Sequence, residues 1–361
     1  MRKKILILTL NDGSNYGNRL QNYALKKMLD KYGDVSTIQA DADGSTVVSL
    51  LKHIAKRKIV YVRNVLFRNK IKYARLRKIQ DFTSTYVPDN GYYASPLLGL
   101  RPKENHGEEI IVLGSDQIWN PRGGSLEALN FRLGGFCDNQ RIISYAASTG
   151  QAAFPDACKA VFEKNMKRMS HISVREFAGK AALTELVNKS ISVVLDPTLM
   201  LTAKEWLQIT KNFVPDTDRY ILTYFLGHPS DEQERNIQMY AKQHNCRVRR
   251  MLDLDDRETY VAGPQDFVEL FSKAQYVFTD SYHACCFSIL FHKQFTVFNR
   301  AGMTGKTSMN SRMETLFRLF NLNSVMMESG LAPEIDYGKV DQLLEQHRKE
   351  SQDWLDKAMK E

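Results

Sequence analysis

The sequence predicts an α/β protein made of two doubly wound domains that face each other across a cleft. Three observations carry this expectation. Short apolar runs such as residues 5–10 alternate with segments of helical spacing such as residues 19–31. Strands buried on both faces read as unbroken apolar runs, and their alternation with helices signals a parallel sheet. The alternating series occurs twice, in residues 1–205 and again in 206–338, and a chain of 361 residues has room for two such domains.

The elements follow in order. The run at 5–10 suits a first strand, a loop with two glycines spans 11–18, and Leu20, Tyr23, Ala24 and Met28 give 19–31 helical spacing. Further strands are expected at 109–113, 141–146, 171–174 and 192–195, the last stopped by Asp196-Pro197, with a helix at 163–169. Thr202 followed by Glu205 at the third helical position is a capping box, which opens a helix over 202–209. Pro215, Asp216 and Asp218 mark 212–219 as a linker. Strands at 220–225, 247–251, 276–279 and 295–298 then alternate with helices at 232–244, 265–272 and 282–291. A C-terminal helical segment, 339–361, carries a broken apolar stripe from Val340 to Met359.

Composition narrows the class. With 43% hydrophobic and 25% charged residues the chain reads as globular, and it has no apolar run of the roughly 18 residues that a bilayer span needs. MRKKILILTL lacks a small-residue cleavage pattern and reads as a strand rather than a signal peptide. Five cysteines without CxxC spacing argue against a disulfide framework and structural zinc, so a reducing cytoplasm is expected. No metal-ligand cluster stands out, and no metal or cofactor is expected.

Charge is concentrated. Residues 52–78 hold Lys52, Lys56, Arg57, Lys58, Arg63, Arg68, Lys70, Lys72, Arg75, Arg77 and Lys78 and no acid, which exceeds the whole net charge of +9. Interleaved apolar residues give two readings: a solvated helical face, or a basic amphipathic helix lying on an anionic membrane surface. Thin aromatic interleaving and the lack of a module motif exclude nucleic acid.

Chemistry is expected at strand ends, where open α/β sheets bind ligands. His283 follows the apolar run ending in Thr279-Asp280-Ser281 and opens a helix. A histidine's ordinary pKa lies near neutrality, so His283 suits proton transfer, or else it is a polar cap. Arg175 ends the strand 171–174 and either clamps an anion or pairs with Glu176 or Asp196. GSDQIWNP (114–121) is either a capped turn or a loop in which Asp116 and Gln117 bind hydroxyls. NDGSNYGNR (11–19), with Asn15 and Asn18, is either a tight turn or a ligand loop. Arg300, Lys306 and Arg312 cluster in the polar loop 299–312 and suggest an anionic ligand; GMTGKTS there lacks Walker spacing. Cys285 and Cys286 read as buried helix residues rather than nucleophiles.

Seven segments occur together and in order: NYGNRLQNYAL (15–25), GSDQIWN (114–120), SYAAS (144–148), ISVRE (172–176), VLDPTLML (194–201), TDSYHACCFSILF (279–291) and NSR (310–312). In this the chain resembles the polysaccharide pyruvyl transferase family over about residues 5–320. The resemblance implies a GT-B-like fold with two Rossmann-like domains. It implies phosphoenolpyruvate as donor, a sugar diol of a polysaccharide or lipid-linked saccharide as acceptor, and a cyclic pyruvate ketal as product. The family's TDS-aromatic-His motif falls on 279–283, which gives His283 the acid/base role and puts Ser281 beside the donor. Its VRE arginine falls on Arg175, a donor-anion ligand. Arg312, inside NSR, is favoured over Arg300 and Lys306 for the phosphate, and Asn15, Asn18, Asp116 and Gln117 fall to the acceptor or its loops. Ala284 departs from the family's usual glycine and narrows the backbone approach beside the histidine.

Two other functions fit the same features. One is a nucleotide-sugar-dependent glycosyltransferase of the GT-B type. The other is a non-catalytic saccharide-binding or membrane-docking subunit whose main surface is 52–78. Under the transferase reading the protein is cytoplasmic and peripheral to the inner face of the cell membrane, which 52–78 would touch.

Overall fold

The computed structural model describes residues 2–11, 15–66, 70–102, 109–121, 124–215, 217–299 and 311–360. The chain forms two compact units. The first gathers Met1–Arg68, Thr83–Pro197 and His347–Glu361; the second gathers Asn69–Phe82 and Thr198–Gln346. Both units are α/β, each with its own parallel sheet.

The first unit contains β1 (Lys3–Leu8), β2 (Gly33–Thr37), β3 (Gln39–Ala40), β4 (Tyr93–Ser95), β5 (Gly99–Arg101), β6 (Ile110–Leu113), β7 (Arg141–Ala147), β8 (His171–Val174) and β9 (Ile191–Val193). Six of these make a sheet in the order β2-β1-β6-β7-β8-β9, with all neighbouring strands parallel. β3, β4 and β5 make a small mixed sheet. Register explains why residues 5–8 of β1 and all of β6 are apolar. Ile5 pairs with Ile110 and Leu6 with Ile111, so successive side chains feed two different cores. Leu6, Leu8, Ile111 and Leu113 meet Leu129, Phe162, Met166 and Leu183 in one core. Ile5, Ile7, Ile110 and Val112 meet Leu25, Leu29, Leu355 and Met359 in the other. Each such aliphatic side chain contributes roughly 1.5–3 kcal/mol by leaving water.

The second unit contains β10 (Tyr220–Tyr224), β11 (Arg247–Met251), β12 (Val277–Thr279), β13 (Phe295–Phe298) and β14 (Met326–Met327), in the order β11-β10-β12-β13-β14. Its cores are aromatic. Ile221, Phe278 and Phe298 pack with Ile237 and Ala241. Tyr224 lies three residues on from Ile221 and so on the opposite face. There its ring meets Phe267 edge-on at 5.4 Å, and Phe267 in turn packs on Phe271 and Phe287.

Both large sheets share one order: the first strand sits second, its successor lies to one side, and the chain then crosses to the other side. The strand order therefore reverses between β1 and β6 and between β10 and β12. At such a switch point the outgoing loops diverge and leave a crevice at the carboxyl ends of the strands.

The basic segment departs from the expected single helix. It forms two, Val47–Leu66 and Ile71–Tyr86. In the second helix the Lys78 ammonium pairs with Asp266 at 2.6 Å and lies 4.5 Å from the Phe213 ring centroid. Arg75 is buried over the Tyr260 ring at 5.6 Å. These two cations are internal to the second unit. Arg68 and the side chains of Lys56, Arg57 and Arg63 lie outside the described residues.

The capping box forms as the sequence predicts. Thr202 Oγ1 accepts from the Glu205 amide at 3.2 Å, and Glu205 Oε2 accepts from the Thr202 amide at 2.8 Å, opening the helix Ala203–Leu207. Thr202→Ala removes one arm of the box, and the expected loss is about 1 kcal/mol, measured as a lower urea midpoint at unchanged slope.

Candidate functional site

In the second unit the residues after β12 are held from three sides. Thr279 Oγ1 donates to the Tyr224 carbonyl at 2.6 Å and accepts from the Ser281 amide at 3.0 Å. Asp280 is buried and accepts from two backbone amides, Leu226 at 2.6 Å and Gly227 at 2.8 Å. Those amides follow β10, so one carboxylate ties the two strand ends that flank the switch point. A carboxylate accepting two N–H bonds is a charge-assisted anchor.

The chain then turns straight into helix Tyr282–Leu290. Ser281 is its N-cap in extended conformation (φ −109, ψ 130), but its side chain makes no capping bond. The first-turn amides of a helix have no intrahelical acceptor and favour an anion. His283 stands in this first turn, buried, with its ring edge-on to Tyr282 at 5.4 Å. Arg312, in the first turn of helix Ser311–Phe320, brings its guanidinium carbon to 5.8 Å from the centre of the same Tyr282 ring. That lies within cation–π range. Tyr282 thus holds both an imidazole and a guanidinium. Arg300 and Lys306 lie outside the described residues. Burial pushes the Cys285 thiol well above its ordinary pKa, so this residue is an inert core thiol.

In the first unit the expected residues are engaged with one another. The Arg175 side chain is fully buried, and its two terminal nitrogens pair with Asp196 at 2.5 Å and Asp116 at 2.8 Å. Of the outcomes open for Arg175, the ion pair with Asp196 is therefore present. Two carboxylates face one guanidinium, so this group ties the loops after β6, β8 and β9. Asp116 is accordingly a partner of Arg175. Gln117 Oε1 accepts from Asn120 Nδ2 at 2.8 Å. Asn15 caps helix Tyr16–Leu29 by accepting from the Asn18 amide at 3.2 Å, and Asn18 is buried in that first turn.

Gln21, Glu176 and Gly114 shape these loops in ways the sequence did not show. Gln21 donates to Thr9 Oγ1 at 2.8 Å and accepts from the Ser115 amide at 3.0 Å, which closes the switch point between β1 and β6. Glu176 Oε1 accepts from Ser148 Oγ and from the amides of Thr149 and Gly150, fixing the loop after β7. Gly114 has φ +133, and a Cβ there would lie 2.1 Å from the Tyr145 carbonyl oxygen, so no side chain fits. Of these three, only Gly114 directly follows an apolar strand; Gln21 lies inside the helix Tyr16–Leu29 and carries no local signal. Among the described residues no group of three or more His, Cys, Asp or Glu is placed to hold a metal ion.

Two parallel sheets with this strand order, each with polar side chains gathered at its carboxyl end, define a protein of the twin doubly wound α/β class. The chain belongs to the polysaccharide pyruvyl transferase family, whose model matches residues 15–302. It is accordingly an enzyme, a transferase of polysaccharide biosynthesis. A comparison with curated proteins finds no match. Among solved structures the chain is similar to a UDP-N-acetylglucosamine 2-epimerase from Rickettsia bellii (10% identity, TM-score 0.45, covering 97% of this chain and 88% of that one). It is also similar to the UDP-GlcNAc 2-epimerase of Methanocaldococcus jannaschii (11% identity, TM-score 0.42, 96% and 99% covered). A third is that of Neisseria meningitidis bound to UDP-GlcNAc (12% identity, TM-score 0.43, 96% and 94% covered). Identities and scores this low carry nothing over from those proteins to this one.

The Arg175 cluster makes a sharp prediction. Asp196→Ala leaves a buried guanidinium with one carboxylate, and removing one partner of a buried ion pair costs about 3–5 kcal/mol. Chemical unfolding should show that loss, while a surface aspartate such as Asp156, replaced in the same way, should stay within about 0.5 kcal/mol of wild type.

Proposed function

We propose that this enzyme transfers the enolpyruvyl carbons of phosphoenolpyruvate to two hydroxyls of a saccharide, giving a cyclic pyruvate ketal and inorganic phosphate. The observation that supports it is His283, within the family motif, in the first turn of a helix at a switch-point strand end, with Arg312 over the ring of the adjoining Tyr282. The donor carries a phosphate and a carboxylate. Helix Tyr282–Leu290 offers amide dipoles to one anionic group, with Ser281 at its cap, and Arg312 offers a fixed cation to the phosphate.

The chemistry asks for proton movement and charge stabilisation. A proton adds to the methylene carbon of the enol, which leaves C2 electron-poor. One acceptor hydroxyl attacks C2 and loses its proton. The C2–O bond to phosphate breaks, and phosphate leaves with the electron pair. The second hydroxyl then attacks C2, and its proton goes to the departing phosphate. Two hydroxyl protons are thus accounted for, one at the methylene carbon and one on phosphate. His283 takes the proton of the attacking hydroxyl as general base. Arg312 and the helix amides stabilise the charge that builds on phosphate. The acceptor is a diol of a polysaccharide building block or of a lipid-linked saccharide.

His283→Ala should lower phosphate release from phosphoenolpyruvate by about 10²–10⁴-fold, the usual worth of a general base, with an unchanged unfolding midpoint. Arg312→Met should raise the KM for phosphoenolpyruvate by about 10–100-fold, in keeping with a lost charge-assisted bond. A folded His283→Ala protein that turns over at the wild-type rate removes His283 from the reaction.

A further inference from the structure

Helix Val47–Leu66 is not explained by the transfer reaction. Val48, Leu51, Ile59, Val62 and Leu66 on this one helix are each between 51% and 72% exposed. Ala55 is exposed as well. At 100° per residue, positions 48, 51, 55, 59, 62 and 66 fall within an arc of about 80° along five turns. Water therefore faces a continuous aliphatic stripe, and ordinary monomeric surfaces scatter such residues singly. Lys52 and Lys58 are exposed and fall on opposite sides of the stripe. The helix contains five Lys or Arg, and no Asp or Glu occurs between Asp43 and Asp81.

We infer that helix Val47–Leu66 is a docking element that lies in the surface of an anionic bilayer, its aliphatic stripe among the acyl chains and its lysines at the headgroups. An aliphatic stripe bordered by cations is the pattern of an interfacial helix, whose apolar face sinks about 5–10 Å into the boundary of the acyl chains. Charge decides against the other occupants. A second copy would bring two acid-free basic helices face to face, and like charges would oppose the contact. A nucleic acid would use the lysines and leave the stripe in water. Anionic lipid satisfies both parts. Among the described residues no helix is long and apolar enough to cross a membrane, so the contact is peripheral. The surface is narrower than the basic segment as a whole, because Arg75 is buried over Tyr260 and Lys78 is paired with Asp266. This inference does not rest on the identity of the donor and is tested without turnover.

The full-length chain is sedimented with vesicles of phosphatidylcholine alone, or with about a third phosphatidylglycerol, at low and high salt. Two variants are compared: Leu51→Ser/Ile59→Ser/Val62→Ser, and Lys52→Glu/Lys58→Glu. All five side chains are exposed, so both variants should keep the wild-type unfolding midpoint. Wild type should bind the anionic vesicles and not the neutral ones. The lysine variant should bind at least about 25-fold more weakly, since each cation near the surface is worth about five-fold. The serine variant should lose binding at both salt concentrations. Equal binding by all three proteins, or no binding of wild type to anionic vesicles, overturns the inference. So does a concentration-dependent dimer, seen by light scattering, that the serine variant abolishes while wild type ignores vesicles; the stripe would then belong to a second copy.

Discussion

A single carboxylate governs the geometry on which the functional account depends. Asp280 accepts the amides of Leu226 and Gly227 from the neighbouring strand end, and the chain turns into a helix within two residues. Without that anchor the two loops that diverge at the switch point would have no fixed relation. With it, the start of helix Tyr282–Leu290 and His283 in its first turn are set against the sheet. The anchor works because Asp280 is buried, where a charge-assisted bond is little screened.

The first unit solves the same problem with a different group. There Arg175 stands between Asp116 and Asp196, and Gln21 bridges the ends of β1 and β6. Opposite charges meet inside the unit, and the cluster ties three strand-end loops together. In the second unit the guanidinium of Arg312 lies over the Tyr282 ring, a cation–π contact beside the start of the helix that carries His283.

Sequence showed much of this, and the limits have physical causes. β8, β11 and β13 lie at the residues the sequence predicted, β8 and β13 because buried strands read as short apolar runs. The helix start at Tyr282 and the capping box at Thr202 were legible because both signals are local. The two-to-three-residue strands β3, β4 and β5 were not, since so short a strand has no period. Arg75 and Lys78 looked like solvent cations because their partners Tyr260 and Asp266 lie far along the chain. The break between the two basic helices carries no glycine or proline to announce it. At His283 and Arg312 the sequence pointed to the residues, and the structure added that both rest on Tyr282.

The most direct measurement is the mass of the product. The protein is incubated with phosphoenolpyruvate and a panel of saccharide diols, and separately with UDP- or GDP-sugars and the same acceptors. The account predicts an acceptor that gains the mass of one pyruvate less one water, with one phosphate released for each. An acceptor that gains a hexose from the nucleotide sugar, with phosphoenolpyruvate left intact, would contradict it.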